Sequence, residues 1–180
     1  MVAQAGGTEG EPLAVVVMGV SGTGKSTLGG LLADHWHAPF LEGDTFHSAA
    51  NVAKMEAGAP LTDEDRWPWL DRLGAALGEA ARRDGAAVAA CSALRHAYRA
   101  RLAAAAGLPL RFAFLDTGRA EIARRMGART GHYMPPSLLD SQLATLEPPG
   151  TNERALRLDA GHPPEALCRE VQAWVETGKV

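Results

Sequence analysis

The hydrophobic positions of the chain form five short runs that alternate with longer segments of helical periodicity. The run Leu13–Met18 is apolar and rich in β-branched residues, which is typical of a strand buried on both faces of a parallel sheet. Leu28, Leu31 and Leu32 follow it at helical spacing. Strands that alternate with helices predict βαβ units, and therefore an α/β fold around a parallel sheet. The five predicted strands are residues 13–18, 40–42, 86–91, 110–115 and 155–158.

Capping residues predict where several helices begin and end. Thr62 and Asp65 resemble a capping box, and the periodic positions from Trp69 onward predict a helix that stops at Gly85. Ser92 is a candidate N-cap for the helix after the third strand. Further helices are predicted after the first strand, over residues 51–56, from the fourth strand to about Arg129, over about 137–146, and after Pro163.

Length and composition indicate a single globular domain. The chain has 180 residues, of which 46% are hydrophobic and 22% charged, which argues against disorder. We expect a disordered segment over residues 1–11 and one domain over 12–180. A net charge of -3 disfavours nucleic acid and anionic membranes as partners, and no apolar run is long enough to cross a bilayer. Two distant cysteines, Cys91 and Cys168, predict reduced thiols in a cytoplasmic protein.

A glycine-rich turn follows the first predicted strand. The stretch Gly19–Ser26 matches the pattern G-x-x-x-x-G-K-[ST] in full. In such a loop the backbone N–H groups and the N-terminus of the next helix bind phosphate oxygens. Lys25 is expected to reach the β- and γ-phosphates, and Ser26 to ligate Mg²⁺. The residues predicted to bind a nucleoside triphosphate are Gly19, Val20, Ser21, Gly22, Thr23, Gly24, Lys25, Ser26 and Thr27.

The loop is compatible with a switch GTPase, an ATPase motor, a small-molecule kinase or a non-catalytic nucleotide sensor. The guanine-specific Asn-Lys-x-Asp motif is absent, because lysine occurs only at positions 25, 54 and 179. A motor usually has an acid at the end of the third strand, but here that strand ends in Cys91-Ser92, and Asp116 ends the fourth strand. A small-molecule kinase is favoured, whose acceptor could be a small hydroxy acid or a nucleoside phosphate, and the non-catalytic sensor stays open.

A kinase also needs residues that orient the acceptor hydroxyl. Glu42 and Asp44 directly follow the second strand, and ligands of an open α/β sheet gather at the carboxyl ends of its strands. Asp44 could accept the hydroxyl proton, and Glu42 could hold a water of the Mg²⁺ shell. His47 lies three residues further on and could contact a substrate hydroxyl.

Basic residues provide candidates for charge neutralisation. Lys54, Arg66, Arg95 and Arg99 could hold an anionic substrate, and Arg95 and Arg99 are spaced to share one helix face. Arg125 and Arg129 are spaced i, i+4 and could swing together onto the β- and γ-phosphates as part of a lid. His132 and Gln142 are candidates for fastening such a lid.

Taken together, these motifs resemble the small P-loop gluconokinases over roughly residues 13–175. Related shikimate and sugar-acid kinases share the loop but not this combination. One departure is Ser48, which stands where proline is common after the histidine. The motifs are the loop with Lys25 and Ser26, Glu42-Gly43-Asp44 with His47, Asn51 with Lys54 and Met55, Pro60-Leu61-Thr62-Asp63 with Asp65-Arg66 and Pro68-Trp69-Leu70, Cys91-Ser92-Ala93-Leu94-Arg95 with Tyr98-Arg99, and Arg129-Thr130-Gly131-His132-Tyr133-Met134 with Ser141-Gln142.

The resemblance implies a nucleoside-monophosphate-kinase-like fold, with a five-stranded parallel sheet, flanking helices and a small helical lid over about residues 125–145. It implies Mg²⁺-dependent transfer of the γ-phosphoryl group of ATP to the 6-hydroxyl of D-gluconate. It also implies a cytoplasmic homodimer. By this resemblance the catalytic residues would be Lys25, Asp44, Arg125 and Arg129, and the two arginines would also bind ATP. The metal would be held by Ser26 and Glu42. The residues that would contact the acceptor are Asp44, His47, Lys54, Arg66, Arg95 and Arg99.

Overall fold

The computed structural model describes residues 10–128 and 137–178, and its centre is a five-stranded parallel sheet. The strand order is β2-β3-β1-β4-β5, which places the first strand in the middle. All neighbouring pairs run parallel, so the predicted α/β fold is confirmed. The strands are β1 (Leu13–Met18), β2 (Phe40–Glu42), β3 (Ala86–Ala90), β4 (Arg111–Asp116) and β5 (Ala155–Asp159).

Helices cover both faces of the sheet. Side chains of β1 alternate between two hydrophobic clusters: Val16 packs with residues of α3 and α4, and Val17 packs with residues of α1 and α7. This burial on both faces explains the unbroken apolar run of β1. The helices are α1 (Lys25–Trp36), α2 (Ala49–Glu56), α3 (Asp63–Asp84), α4 (His96–Ala106), α5 (Arg119–Ala128), α6 (Ser137–Thr145) and α7 (Pro164–Thr177), and a 3-10 helix covers Gly43–Phe46.

The capping predictions have different outcomes on the two sides of β3. Thr62 and Asp65 form the predicted capping box, so α3 begins at Asp63, ahead of the periodic positions. The predicted cap at Ser92 is wrong, because α4 begins only at His96 and its N-cap position is Arg95. The intervening chain turns at Ala93, whose φ of 46° is left-handed, before the helix starts.

Several expectations fall on residues outside the described ranges. These include Arg129, His132 and most of the N-terminal segment over residues 1–11. Within the described ranges, no helix is both long and apolar enough to span a membrane. Cys91 and Cys168 are both free and buried, in agreement with the expectation of unpaired thiols.

Candidate active site

The loop between β1 and α1 has the backbone shape of a phosphate cradle. Gly19 has a φ of 146°, and a Cβ at this position would lie 2.7 Å from the carbonyl oxygen of Leu115. Glycine is therefore required there for both conformation and space. The Thr23 hydroxyl donates a hydrogen bond to the Val20 carbonyl oxygen over 2.9 Å, and the Lys25 ammonium donates to the same oxygen over 3.0 Å. Because α1 begins at Lys25, the N-terminus of a helix lies at the end of the loop, and such an N-terminus is suited to binding an anion.

The loop meets the end of β2 through a hydrogen bond from the Ser26 hydroxyl to the Glu42 carboxylate. Because β2 and β1 both pair with β3, their carboxyl ends lie at the same edge of the sheet, one on each side of β3. The hydroxyl and the carboxylate offer oxygen ligands, which Mg²⁺ prefers. Ser26 and Glu42, predicted separately as metal ligands, are brought together by the fold.

The turn after β2 is held close to the sheet, and this positions Asp44. A Cβ on Gly43 would lie 2.3 Å from the Ala90 carbonyl oxygen, so a larger residue would push the turn away from β3. The indole nitrogen of Trp69 donates a hydrogen bond to the Gly43 carbonyl oxygen over 2.8 Å. The position of Asp44 thus depends on a glycine and on a tryptophan of α3.

A cavity lies beside the phosphate loop and is lined by both polar and apolar side chains. Lys25 lines the cavity from the loop, while Asp44 and His47 line it from the segment after β2. Further lining residues are Met55, Arg66, Trp69, Ser92, Leu94, Leu138 and Gln142.

His47 forms part of the cavity wall as a neutral side chain. Its ring stacks on Trp69, with 4.0 Å between the ring centroids. Burial lowers the pKa of His47 from 6.5 to about 4, and the nearby Arg66 and Arg72 act in the same direction, whereas Asp44 opposes the shift. Near neutral pH the imidazole therefore offers one hydrogen-bond donor and one acceptor.

Arg66 is the predicted anion-binding arginine that lines the cavity. It donates a hydrogen bond to the Tyr98 hydroxyl over 3.0 Å, and the hydroxyl in turn donates to the Asp63 carboxylate. Arg95 also approaches this group: its guanidinium lies 3.7 Å from the Asp63 carboxylate and 5.9 Å from the centroid of the Tyr98 ring. Arg66 and Arg95 therefore share one acidic partner and one aromatic ring.

The other predicted cationic residues are not brought to this cavity. The Lys54 ammonium lies 2.7 Å from the Asp65 carboxylate. Arg99 is only 1% exposed, and its guanidinium donates to Glu153 and to the Ala93 carbonyl oxygen instead of sharing a face with Arg95.

Arg125, predicted for the lid, lies elsewhere in the structure. It donates to Glu121 over 2.9 Å and to the Ala160 carbonyl oxygen over 2.8 Å. This contact ties α5 to the turn after β5. The structure thus places Arg125 beside that turn and not among the residues lining the cavity next to Lys25.

Gln142 of α6 contacts the phosphate loop. Its side-chain oxygen accepts a hydrogen bond from the Ser21 backbone N–H over 2.7 Å. This contact joins α6 to the phosphate loop, and the role of Gln142 in fastening a lid stays a prediction. Sequence reasoning missed the roles of Asp63 and Tyr98, although both occur in the motifs quoted above, because neither pattern shows that α3 and α4 are neighbours.

Comparisons with known proteins agree with this geometry. A family described as "AAA domain" matches residues 15–149. The gluconokinase of Gluconobacter oxydans (strain 621H) is 47% identical over 163 residues, which cover 89% of this chain and 90% of that protein. The chain belongs to the gluconokinase family. Family membership selects a kinase that uses ATP among the four classes of P-loop protein considered above.

Two crystal structures match nearly the whole chain. One is a sugar kinase from Janibacter sp. HTCC2649, with a TM-score of 0.87 at 43% identity, covering 92% of this chain and 95% of that chain. The other is a gluconokinase from Sinorhizobium meliloti 1021, with a TM-score of 0.82 at 43% identity, covering 92% and 93%. The expected kinase fold is therefore confirmed.

Proposed function

We propose that this protein transfers the γ-phosphoryl group of ATP to the 6-hydroxyl of D-gluconate, giving 6-phosphogluconate and ADP. The observation that carries the proposal is that Lys25 of the phosphate loop and Asp44 of the acceptor turn line one cavity, in a chain of the gluconokinase family. Phosphoryl transfer depends on positioning and charge neutralisation more than on covalent help from the protein. A shared cavity can place the two substrates next to each other, and Lys25 supplies positive charge at the same place.

On the phosphate side, the loop and α1 bind the triphosphate through backbone N–H groups, and Lys25 neutralises its outer oxygens. In this proposal the ammonium of Lys25 exchanges its contact with the Val20 carbonyl oxygen for phosphate oxygens. Arg125 and Arg129 remain predicted ligands of the phosphates, within a lid over about residues 125–145.

Mg²⁺ fits the pair formed by Ser26 and Glu42, since both side chains supply oxygen atoms. Ser26 would bind the ion directly, and Glu42 would hold one of its waters. The ion, when bound, neutralises charge on the β- and γ-phosphates.

On the acceptor side, Asp44 orients the attacking hydroxyl and takes up its proton. Arg66 binds the carboxylate of the sugar acid, with Arg95 as a further candidate nearby. His47 contacts a hydroxyl of the acceptor. Lys54 remains a predicted contact, and Arg99 is assigned to the fold because its guanidinium is buried against Glu153.

A substrate screen tests the proposal. The purified protein is offered ATP and Mg²⁺ with gluconate, related sugar acids, shikimate and nucleoside monophosphates, and ADP release is followed. Gluconate should give the highest kcat/KM, and NMR of the product should place the phosphate on the 6-oxygen. ADP release only with another acceptor, or with none, contradicts the proposal.

Two broader properties follow from the resemblance alone, namely a homodimer and a cytoplasmic location. The homodimer is tested by light scattering on the purified protein, for which we expect a mass near twice the 18.9 kDa of the chain. A mass equal to that of one chain contradicts it.

A further inference from the structure

One buried polar side chain beside the cavity has no place in the chemistry described so far. Asn51 lies in the first turn of α2 and is only 4% exposed. Its backbone N–H donates to the hydroxyl of Ser48, the N-cap residue, over 3.1 Å. The unusual serine after His47 thus caps α2 and helps to fix Asn51. A buried amide needs hydrogen-bond partners, and these partners define its role.

The orientation of the Asn51 amide follows from its contact with α3. Its side-chain nitrogen Nδ2 lies 2.9 Å from the backbone carbonyl oxygen of Asp65. A carbonyl oxygen can only accept, so the amide must present its NH₂ group there and not its oxygen. The second N–H of the same nitrogen is then available to Nδ1 of His47, which lies 3.4 Å away.

This contact decides which nitrogen of His47 carries the proton. Because Asn51 Nδ2 is a donor, Nδ1 must accept, and a neutral imidazole then holds its proton on Nε2. The charged groups facing the ring are Asp44 from the 3-10 helix and Arg66 and Arg72 from α3, and burial with the two arginines outweighs Asp44. The ring therefore stays neutral at the pH at which kinases work.

The orientation of the ring is also fixed. It stacks on Trp69 with an interplanar angle of 21°, and the Trp69 indole is itself anchored by its hydrogen bond to the Gly43 carbonyl oxygen. The same turn carries Asp44. The donor of His47 and the carboxylate of Asp44 are consequently held by one connected set of contacts at the cavity wall.

We propose that Asn51 is a positioning residue that keeps His47 as the Nε2–H tautomer, so that His47 donates a hydrogen bond to a hydroxyl oxygen of the acceptor. This proposal rests on the proposed function for the identity of the acceptor. In this proposal two residues recognise different groups of the acceptor. Arg66 binds the carboxylate, whereas the neutral His47 donates a hydrogen bond to a hydroxyl oxygen. The arrangement favours polyhydroxylated acceptors over acids that lack a hydroxyl at that position.

The first test reads the tautomer in the free protein and needs no substrate. In a long-range ¹H–¹⁵N spectrum of the imidazole groups at pH 7, the His47 signals are assigned by their loss in His47→Gln. We expect Nδ1 to show the shift of an unprotonated nitrogen and Nε2 that of a protonated one. The reverse pattern, or a doubly protonated ring, overturns the proposal.

The second test changes Asn51. In Asn51→Asp a carboxylate can only accept, so His47 should move to the Nδ1–H tautomer or become protonated, and its pKa should rise. The KM for gluconate should rise about tenfold, the usual cost of losing one hydrogen bond in a buried site, while kcat changes much less. The exposed Asn152→Asp is the matched control and should alter neither the tautomer nor the KM.

The two measurements separate this proposal from the proposed function. A variant with a changed tautomer but the wild-type KM for gluconate overturns the use of the Nε2 proton in binding. If the protein does not phosphorylate gluconate, the proposed function fails, but the change of tautomer between the wild type and Asn51→Asp still decides the role of Asn51. If Asn51→Asp does not fold, an Nδ1–H tautomer in the wild-type spectrum still overturns the proposal.

Discussion

The phosphate side and the acceptor side of the cavity are built in different ways. On the phosphate side, one continuous stretch from Gly19 to Ser26 provides backbone N–H groups and two side chains. On the acceptor side, the wall comes from the segment after β2, α2, α3, the segment after β3 and α6, and several of its side chains are oriented by other side chains. The first depends on local backbone shape, and the second on tertiary contacts.

This difference has a consequence for mutation. A substitution in the phosphate loop should act directly on phosphoryl transfer, because in the proposed function the groups of the loop contact the phosphates themselves. A change on the acceptor side can act through a partner, as Tyr98 and Asp63 do for Arg66. The comparison between the two sides is therefore tested by substitutions that distinguish a residue that contacts a substrate from one that positions another residue.

The largest effect is expected at the point where the two sides meet. Asp44→Asn should lower kcat for gluconate by about 10²–10⁴-fold, because an amide cannot accept the hydroxyl proton. ATP binding, followed by calorimetry, should be largely unchanged. Asp34→Asn on the exposed surface of α1 is the control and should keep wild-type turnover. Near-full turnover in Asp44→Asn would make Asp44 a structural residue.

A second large effect should appear in stability and not in chemistry. Arg99→Met leaves Glu153 without its buried partner, which typically costs about 3–5 kcal/mol of unfolding free energy. Urea unfolding measures the change. Arg101→Met is the matched control on the same helix, because Arg101 pairs with Asp71 at the surface, and it should have little effect.

The kinetics of Arg99→Met show whether its role is indirect. Under conditions in which the variant is folded, we expect kcat to stay near that of the wild type. A rise in the KM for gluconate without loss of stability would contradict the structural role and place the guanidinium of Arg99 in the acceptor site.

The same division explains what the sequence could predict. The loop follows from a contiguous motif, and the nearness of Ser26 and Glu42 follows from the rule that ligands gather at strand ends. The structure shows the contact between these two side chains, and their role as metal ligands stays a prediction. Helix spacing also suggested that Arg95 and Arg99 share a face. It failed because Arg95 is the N-cap of α4, outside the helical turns, and Arg99 points to Glu153.

Long-range partners were beyond the reach of local patterns. Asn51 belongs to one of the motifs in the sequence. That its side chain donates a hydrogen bond to His47 follows only from its contact with the Asp65 carbonyl oxygen, 14 positions away on another helix. Ser92 looked like a cap because serine is common at that position. The left-handed turn at Ala93 moves the start of the helix to His96, and no residue type in the segment signals it.

An effect of about 10²–10³ on kcat is expected for Lys25→Met, since a preorganised cation near the transferred group is lost. Single-turnover kinetics with saturating ATP measure it. The KM for gluconate should change much less, because the acceptor wall is built from other elements. A large rise in that KM with unchanged kcat would show that Lys25 binds the acceptor and would remove the distinction between the two sides.

The smallest effect is expected at the other lysine of the described chain, Lys54. The hydrogen bond from Lys54 holds the pKa of Asp65 down at about 2, and this ion pair at the surface lies away from the cavity. Lys54→Met should therefore change the KM for gluconate by less than about fivefold, in the range of exposed ion pairs. A rise of more than about tenfold would mean that Lys54 leaves Asp65 to bind the acceptor carboxylate. Lys54 would then contact the acceptor directly, whereas the role inferred for Asn51 of the same helix is indirect.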